Sequence, residues 1–190
     1  MAATLAFDDA TGLQRLEVLL HAGRRYRVVA PRAEQKTQLL RRLRTAAPVA
    51  VVAPRGGLIG NLKVWENLLL PVQYHPRHVV PAPASLEARA ESFFAALGLA
   101  RERFFDLCAL LPERLTEFER RLVAFVRGLL AEPEIMVYDG LFDGLARPEV
   151  QKAVRFDAVF RRHFPFRTAV YVDGHDLTVP GLEPHPLIHL

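Results

Sequence analysis

The chain has 190 residues, 51% of them hydrophobic and 24% charged, and a net charge of +4; this is the composition of one globular domain with a core of its own. No apolar run approaches the roughly 18 residues of a membrane-spanning helix, and residues 1–9 lack the basic start and apolar centre of a secretory signal. The single cysteine, Cys108, excludes an internal disulfide and any CxxC site, so a reducing cytoplasm is the expected compartment.

Residues 24–30 (RRYRVVA) read as a strand ending in an apolar run, and 33–45 place Leu39, Leu40 and Leu43 at helical spacing. Arginines cluster at Arg24, Arg25 and Arg27 and again at Arg41, Arg42 and Arg44. The second cluster falls where that helix ends, a position that suits cations. Neither cluster carries the interleaved aromatics or recognition helix of a nucleic-acid binder, so no nucleic-acid partner is expected.

Pro48 ends the helix, 49–53 (VAVVA) is a short apolar strand, and Gly56, Gly57 and Gly60 mark a loop. Helices are expected over 64–74 and 85–99, separated by a segment holding Pro76, Pro81 and Pro83. Thr116 and Glu119 form a capping box that opens a helix running to about Ala131. A second buried strand follows at 134–138 (EIMVY), Pro148 opens another helix, and 167–172 (RTAVYV) is a last strand. The tail from Thr178 carries three prolines and is expected to lack regular structure. Strands alternating with helices give an α/β fold with a mainly parallel sheet.

The strand, loop and helix around 30–37 (APRAEQKT) occupy the context of a phosphate-binding loop, GxxxxGK[ST], with both glycines missing. Four further segments follow in order: 57–67 (GLIGNLKVWEN), 115–130 (LTEFERRLVAFVRGLL), 135–145 (IMVYDGLFDGL) and 171–176 (YVDGHD). Taken together, residues 24–176 resemble an ATP-binding-cassette (ABC) ATPase: a degenerate Walker A, a "TVxEN"-like stretch, a signature helix, a Walker B strand with its D-loop approach, and a switch-histidine ending. The Gly-Leu pair and KVWENLLLPVQYH are most similar to Mla-type lipid-transporter ATPases.

The resemblance implies a P-loop NTPase-like sheet with an inserted helical subdomain, a trimmed ABC nucleotide-binding domain. Residues 1–190 form one domain: 1–63 and 132–177 are core, about 64–131 the helical subdomain, and 178–190 a tail. Lys36, Thr37 and Asp139 would be the nucleotide-binding residues, with Thr37 and Asp139 on Mg²⁺ and His175 as the switch. Trp65, Glu66, Asn67, Leu68 and Leu69 would cradle a permease. Phe7 or Tyr26 would stack on adenine.

Each of these residues also has an ordinary reading. Lys36 and Thr37 fit the first turn of a helix, Asp139 fits a loop after a strand, and His175 fits a loop histidine bonded to backbone. His75, His78, His185 and His189 are too dispersed for a metal site.

The substitutions all lower the expected activity. Ala30, Ala33 and Gln35 stand where the phosphate loop needs glycine-like freedom, and Glu34 sets a negative charge beside the anion, an opposition of about 1–4 kcal/mol at surface-like dielectric. Gly140 occupies the position of the glutamate that would activate water, a contribution of roughly 10²–10⁴. Pro54, ten residues before Val64, replaces the Q-loop glutamine, Glu117 and Phe118 replace two signature glycines, and Ala146 or Arg147 takes the D-loop aspartate position. Only eighteen positions separate Lys36 from Pro54, enough for one helix and a turn.

The expected function is a cytoplasmic, peripheral cassette-like subunit of a membrane transporter, with lipid as an expected cargo class and with weak or no ATP hydrolysis. It would pair with a permease and dimerise with itself or with another cassette, ATP and Mg²⁺ being doubtful cofactors. The alternatives are a working ATP-binding and hydrolysing ABC subunit and a soluble regulatory protein on the same fold.

Overall fold

The strands of the main sheet are four to six apolar residues long, except for a three-residue strand at one edge, because helices or loops cover both faces of the sheet. The computed structural model describes residues 2–8, 15–73, 83–176, 179 and 186–190. Its elements in chain order are β1 (Ala2–Asp8), β2 (Arg15–His21), β3 (Arg25–Val29), α1 (Ala33–Ala46), β4 (Val49–Val52), α2 (Val64–Gln73), α3 (Pro83–Ala96) and α4 (Arg101–Ala109). After a 3₁₀ turn at Pro112–Arg114 come α5 (Glu117–Leu130), β5 (Ile135–Asp139), α6 (Arg147–Ala153), α7 (Arg155–His163), β6 (Thr168–Asp173) and β7 (Leu187–His189).

β1 and β2 form an antiparallel hairpin with Ala2 opposite His21. The other five strands make one parallel sheet in the order β4-β5-β6-β3-β7. Alternation along the strands divides the core in two. Val28, Ile135, Val137, Val170 and Val172 face α1, which buries Leu39 and Leu43 against them. Val52, Met136, Tyr138, Ala169 and Tyr171 face the remaining helices, where Phe94, Phe104, Phe125, Phe156 and Phe160 are fully buried. Burying each such ring contributes about 1.5–3 kcal/mol, and Phe125 stacks on Phe156 with centroids 4.6 Å apart. On the same side Arg25 of β3 meets Asp157 of α7 at 2.8 Å, both side chains buried, so each charge is matched.

The elements differ from the sequence expectation in four places. The hairpin and α4 carry no strong periodic signal, and both form. The helix expected from Pro148 is two helices, α6 and α7, meeting at Val154. The tail is not irregular throughout: Leu187–His189 pairs in parallel with β3. There Ile188 and Leu190 pack into the cluster around α1, while Arg27 N–H donates to the Pro186 carbonyl at 3.0 Å. Two apolar residues beside an open strand edge were enough to order the tail's end.

Candidate functional site

Ligand sites of open parallel sheets lie at the carboxyl ends of the strands. Here that edge gathers the loop after β3, the ends of β5 and β6, and the loop after β4. The passage from β3 to α1 is three residues, Ala30-Pro31-Arg32. No residue from 30 to 36 takes a left-handed backbone angle, so the chain goes directly from strand to helix without wrapping a concavity. Pro31 has no N–H to offer, and Arg32 N–H donates to Gln35 Oε1 at 3.0 Å.

Lys36 lies four positions into α1, and its N–H already donates to the Arg32 carbonyl at 3.3 Å. Its side chain crosses to β5, where Nζ lies 2.7 Å from Asp139 Oδ1. The contact is an ion pair between partly shielded groups, the side chains being 29% and 12% exposed. Thr37 turns its hydroxyl back to donate to the Ala33 carbonyl at 2.9 Å. The structure therefore brings Lys36 and Asp139 together and leaves Thr37 on the exposed face of the first turns.

Beyond Asp139 the chain turns sharply. Gly140 takes φ +53°, its N–H donates to the Val172 carbonyl at 2.9 Å, and its carbonyl accepts from Asp143 N–H at 3.1 Å. A Cβ at this position would lie 2.4 Å from Asp143 Oδ2 and 3.1 Å from Pro54 Cγ. The turn is thus shaped for glycine: a side chain there would displace the Asp143 carboxylate, press on Pro54 and strain the backbone, so a glutamate at this position would be resisted. Buried Arg121 of α5 donates to the Asp143 carbonyl and anchors the same turn.

At the end of β6, Asp173 accepts through its carbonyl from Ala30 N–H at 2.8 Å, tying this strand to the loop. Burial raises the Asp173 carboxyl above the usual aspartate range, with Asp143 adding to the rise against the pull of Arg27. Arg27 pairs with Asp173 at 3.7 Å and with Asp176 at 3.2 Å. His175, between them in sequence, is exposed. Glu34, Asp139, Asp143, Asp173 and Asp176 share this edge with Arg32, Lys36, Arg27 and His175, and Lys36 and Arg27 are both already paired with carboxylates.

The loop after β4 is held rigidly. Gly56 takes φ +74° and sits so close to α5 that a Cβ would lie 2.6 Å from the Arg120 carbonyl. Arg127 donates to the carbonyls of Gly57 and Gly56 at 2.9 and 3.2 Å. Asn67, fully buried, accepts from Ile59 N–H at 2.7 Å and donates to the carbonyls of Ile59, Leu62 and Lys63. Of the five residues expected to face a permease, Asn67 and Leu68 are therefore interior. Trp65 and Leu69 are half-buried, and Glu66 is exposed with its carboxylate accepting from Lys63 N–H at 2.7 Å.

The start of α5 is capped within the chain. Thr116 Oγ1 accepts from Glu119 N–H at 3.2 Å and Glu119 Oε2 from Thr116 N–H at 2.9 Å, with Arg103 at 2.6 Å on the other carboxylate oxygen. Phe118 lies inward against Phe156, centroids 6.0 Å apart. Tyr26 is buried, its hydroxyl accepting from His21 N–H at 2.9 Å, so its ring offers no face to a base. Phe7 stands in β1 opposite Leu16. His75, His78 and His185 fall outside the described residues, among which no cluster of three metal-ligating side chains occurs.

No protein-family model matches the sequence and no curated relative does. Solved structures match the fold. The dimeric ATP-binding cassette MJ0796, in a post-hydrolysis state with ADP and Pi, aligns with a TM-score of 0.65 at 17% identity over 93% of this chain and 88% of that one. The protein cbiO1 from Clostridium perfringens, part of the ABC transporter complex cbiONQ, aligns with a TM-score of 0.68 at 12% identity over 93% and 78%. The fold is that of an ATP-binding cassette.

The cassette fold implies a nucleotide and Mg²⁺, and the residues present do not fit them. A phosphate group needs a row of N–H donors around it; here Pro31 supplies none, the N–H groups of Arg32 and Lys36 are taken, and those of Ala33, Glu34 and Gln35 belong to a plain helix start that carries the Glu34 carboxylate. The Lys36 amine, the Thr37 hydroxyl and the Asp139 carboxylate all have partners within the chain. Two features of this edge escaped the sequence reading. The Arg27 cluster was signalled only by an arginine inside an apolar strand, and the Arg127 clamp only by one arginine in an otherwise buried helix.

Proposed function

We propose that this chain is a non-hydrolysing cassette-fold subunit that serves as a docking scaffold or non-catalytic partner beneath a membrane permease. The observation that carries the reading is the Lys36–Asp139 ion pair at 2.7 Å, beside a strand-to-helix turn with no left-handed residue. The two side chains that would grip phosphate and metal neutralise one another, and the turn that would wrap the phosphate is a plain helix start. The glycine turn at 140 and the capped start of α5 support the same conclusion.

Docking is supported by the surface around the start of α2. Ile59 is 46% exposed and Leu111 36%. The Ile59 loop is tied to α2 through Asn67, and Val64 N–H at the start of α2 donates to the carbonyl of Leu110, the neighbour of Leu111, at 2.9 Å; Trp65 on the same helix is half-buried. An apolar surface on a rigid loop is suited to a short membrane-protein helix. No helix among the described residues is long and apolar enough to cross a membrane, which fits a peripheral subunit on the inner face. The cassette would act as a homodimer or beside a competent cassette, and its likeness to Mla-type ATPases points to lipid as the cargo class.

A second reading, an ATP-binding and hydrolysing subunit, draws on the survival of Lys36, Thr37, Asp139 and His175. It requires the Lys36–Asp139 pair to open as nucleotide enters. The docking claim is tested by co-expressing the chain with a permease encoded beside its gene. The permease is expected to copurify with the parent and to be lost with Trp65→Glu. Recovery of the chain without permease would refute the reading.

A further inference from the structure

The outer edge of β4 carries a second surface, separate from the α2 face. β4 is the last strand of the sheet, and among the described residues no strand pairs with its other side. The carbonyl of Pro48 accepts from Glu134 and Ile135 N–H and so points towards β5. Alternation then turns Ala50 and Val52 towards β5 and the N–H and C=O groups of Val49 and Val51 outward. Val49, Ala50 and Val51 line a cavity of about 410 Å³ between α1 and α5. On the α1 side Leu40 and Arg44 line it, on the α5 side Ala124, Arg127, Gly128 and Ala131, and Pro71 of α2 reaches its rim. A second space of about 560 Å³ continues it along α1 past Thr37, Arg41 and Arg44. Arg41 and Arg44 are exposed and make no ion pair among the described residues. Asp139 closes the far end, with its charge matched by Lys36.

We propose that this slot is a strand-acceptor site, taking an extended acidic peptide of a partner protein that pairs its backbone with Val49 and Val51. Strand addition at an open edge draws affinity from main-chain hydrogen bonds and specificity from alternate side chains. The walls differ, and so must the two faces of the guest. Carboxylates belong on the α1 side, against Arg41 and Arg44, and uncharged side chains on the α5 side, where Ala124, Gly128 and Ala131 offer no polar side chain and Arg127 is engaged with the Gly56 and Gly57 carbonyls. The guest is therefore a strand alternating Asp or Glu with uncharged residues such as Ala.

The probe is a fluorescein-labelled octapeptide of alternating glutamate and alanine, read by fluorescence polarisation at low salt against the full chain. Two N-methylated forms accompany it, one methylated at every glutamate nitrogen and one at every alanine nitrogen. Binding is expected for the parent peptide and for one methylated form, and to be lost for the other, since only alternate N–H groups face β4. Arg41→Glu with Arg44→Glu, both on the exposed face of α1, is expected to weaken binding by about tenfold or more. Equal binding of all three peptides, or an unchanged affinity for the double variant, would overturn the proposal. So would a concentration-dependent dimer of the chain that the double variant leaves intact and the peptide does not disturb, because a second copy would then occupy the edge.

Discussion

Replacing Gly140 by glutamate restores, on paper, the residue that a hydrolysing cassette would use to activate water, and the structure argues that it will do harm instead. Gly140 sits at φ +53°, where a residue with a Cβ loses about 1–2 kcal/mol relative to glycine. The new Cβ would also lie 2.4 Å from Asp143 Oδ2 and 3.1 Å from Pro54 Cγ. Asp143 is exposed and can swing away at little cost, whereas Pro54 must shift with its loop. For a domain of this length each kcal/mol moves Tm by about 2–4 °C. Gly140→Glu is therefore expected to melt about 2–8 °C below the parent on the backbone term alone. Gly140→Asn should lose less, since asparagine tolerates the left-handed region. Thermal unfolding by circular dichroism reads the shift, and phosphate release with Mg-ATP reads activity, expected to stay at background. An unchanged Tm together with new phosphate release would refute the reasoning.

Three further tests address the rest of the site. Asn67→Ala strips four hydrogen bonds from a fully buried position and leaves backbone groups of the loop unpaired. A loss of about 1–3 kcal/mol is expected in urea unfolding, together with faster proteolysis of residues 56–63. For Glu119, burial would raise the carboxyl, but the bonds from Thr116 and Arg103 outweigh it and hold it below the usual glutamate range. Its stabilisation is therefore complete above about pH 4.3 and is lost as pH falls through the lower folded value. Melts followed from about pH 5 downward should show a steeper loss for the parent than for Glu119→Gln. Thr116→Ala removes the reciprocal cap of α5 and is expected to cost about 1 kcal/mol, read by the same melts.

The parallel sheet was legible because its strands are apolar runs of the right length bounded by proline or glycine. The cassette-like order of strands and helices was legible because the segments 30–37, 135–145 and 171–176 follow one another at workable spacing. What stayed hidden depends on contacts between distant residues. Asn67 looks like a surface residue in sequence and is interior because the Gly56–Lys63 loop folds back over it. Lys36 and Asp139 are far apart along the chain, and only the pairing of β3 with β6 and of β6 with β5, beneath α1, brings them to 2.7 Å. Tyr26 has the composition of a stacking residue, but its place on the α1 face of β3 buries it. The strand at the tail rests on two apolar residues, too short a signal for periodicity to register.

The central claim is that this edge of the sheet no longer grips nucleotide, and a ligand-dependent shift in unfolding temperature tests it most directly. A ligand present at 100 times its Kd would stabilise the folded chain by about 2.7 kcal/mol, a rise in Tm of about 5–11 °C for a domain of this length. Melts in several millimolar Mg-ATP are expected to coincide with those in Mg²⁺ alone, for the parent and for Lys36→Ala equally. A concentration-dependent rise in the parent that disappears in Lys36→Ala would contradict the account.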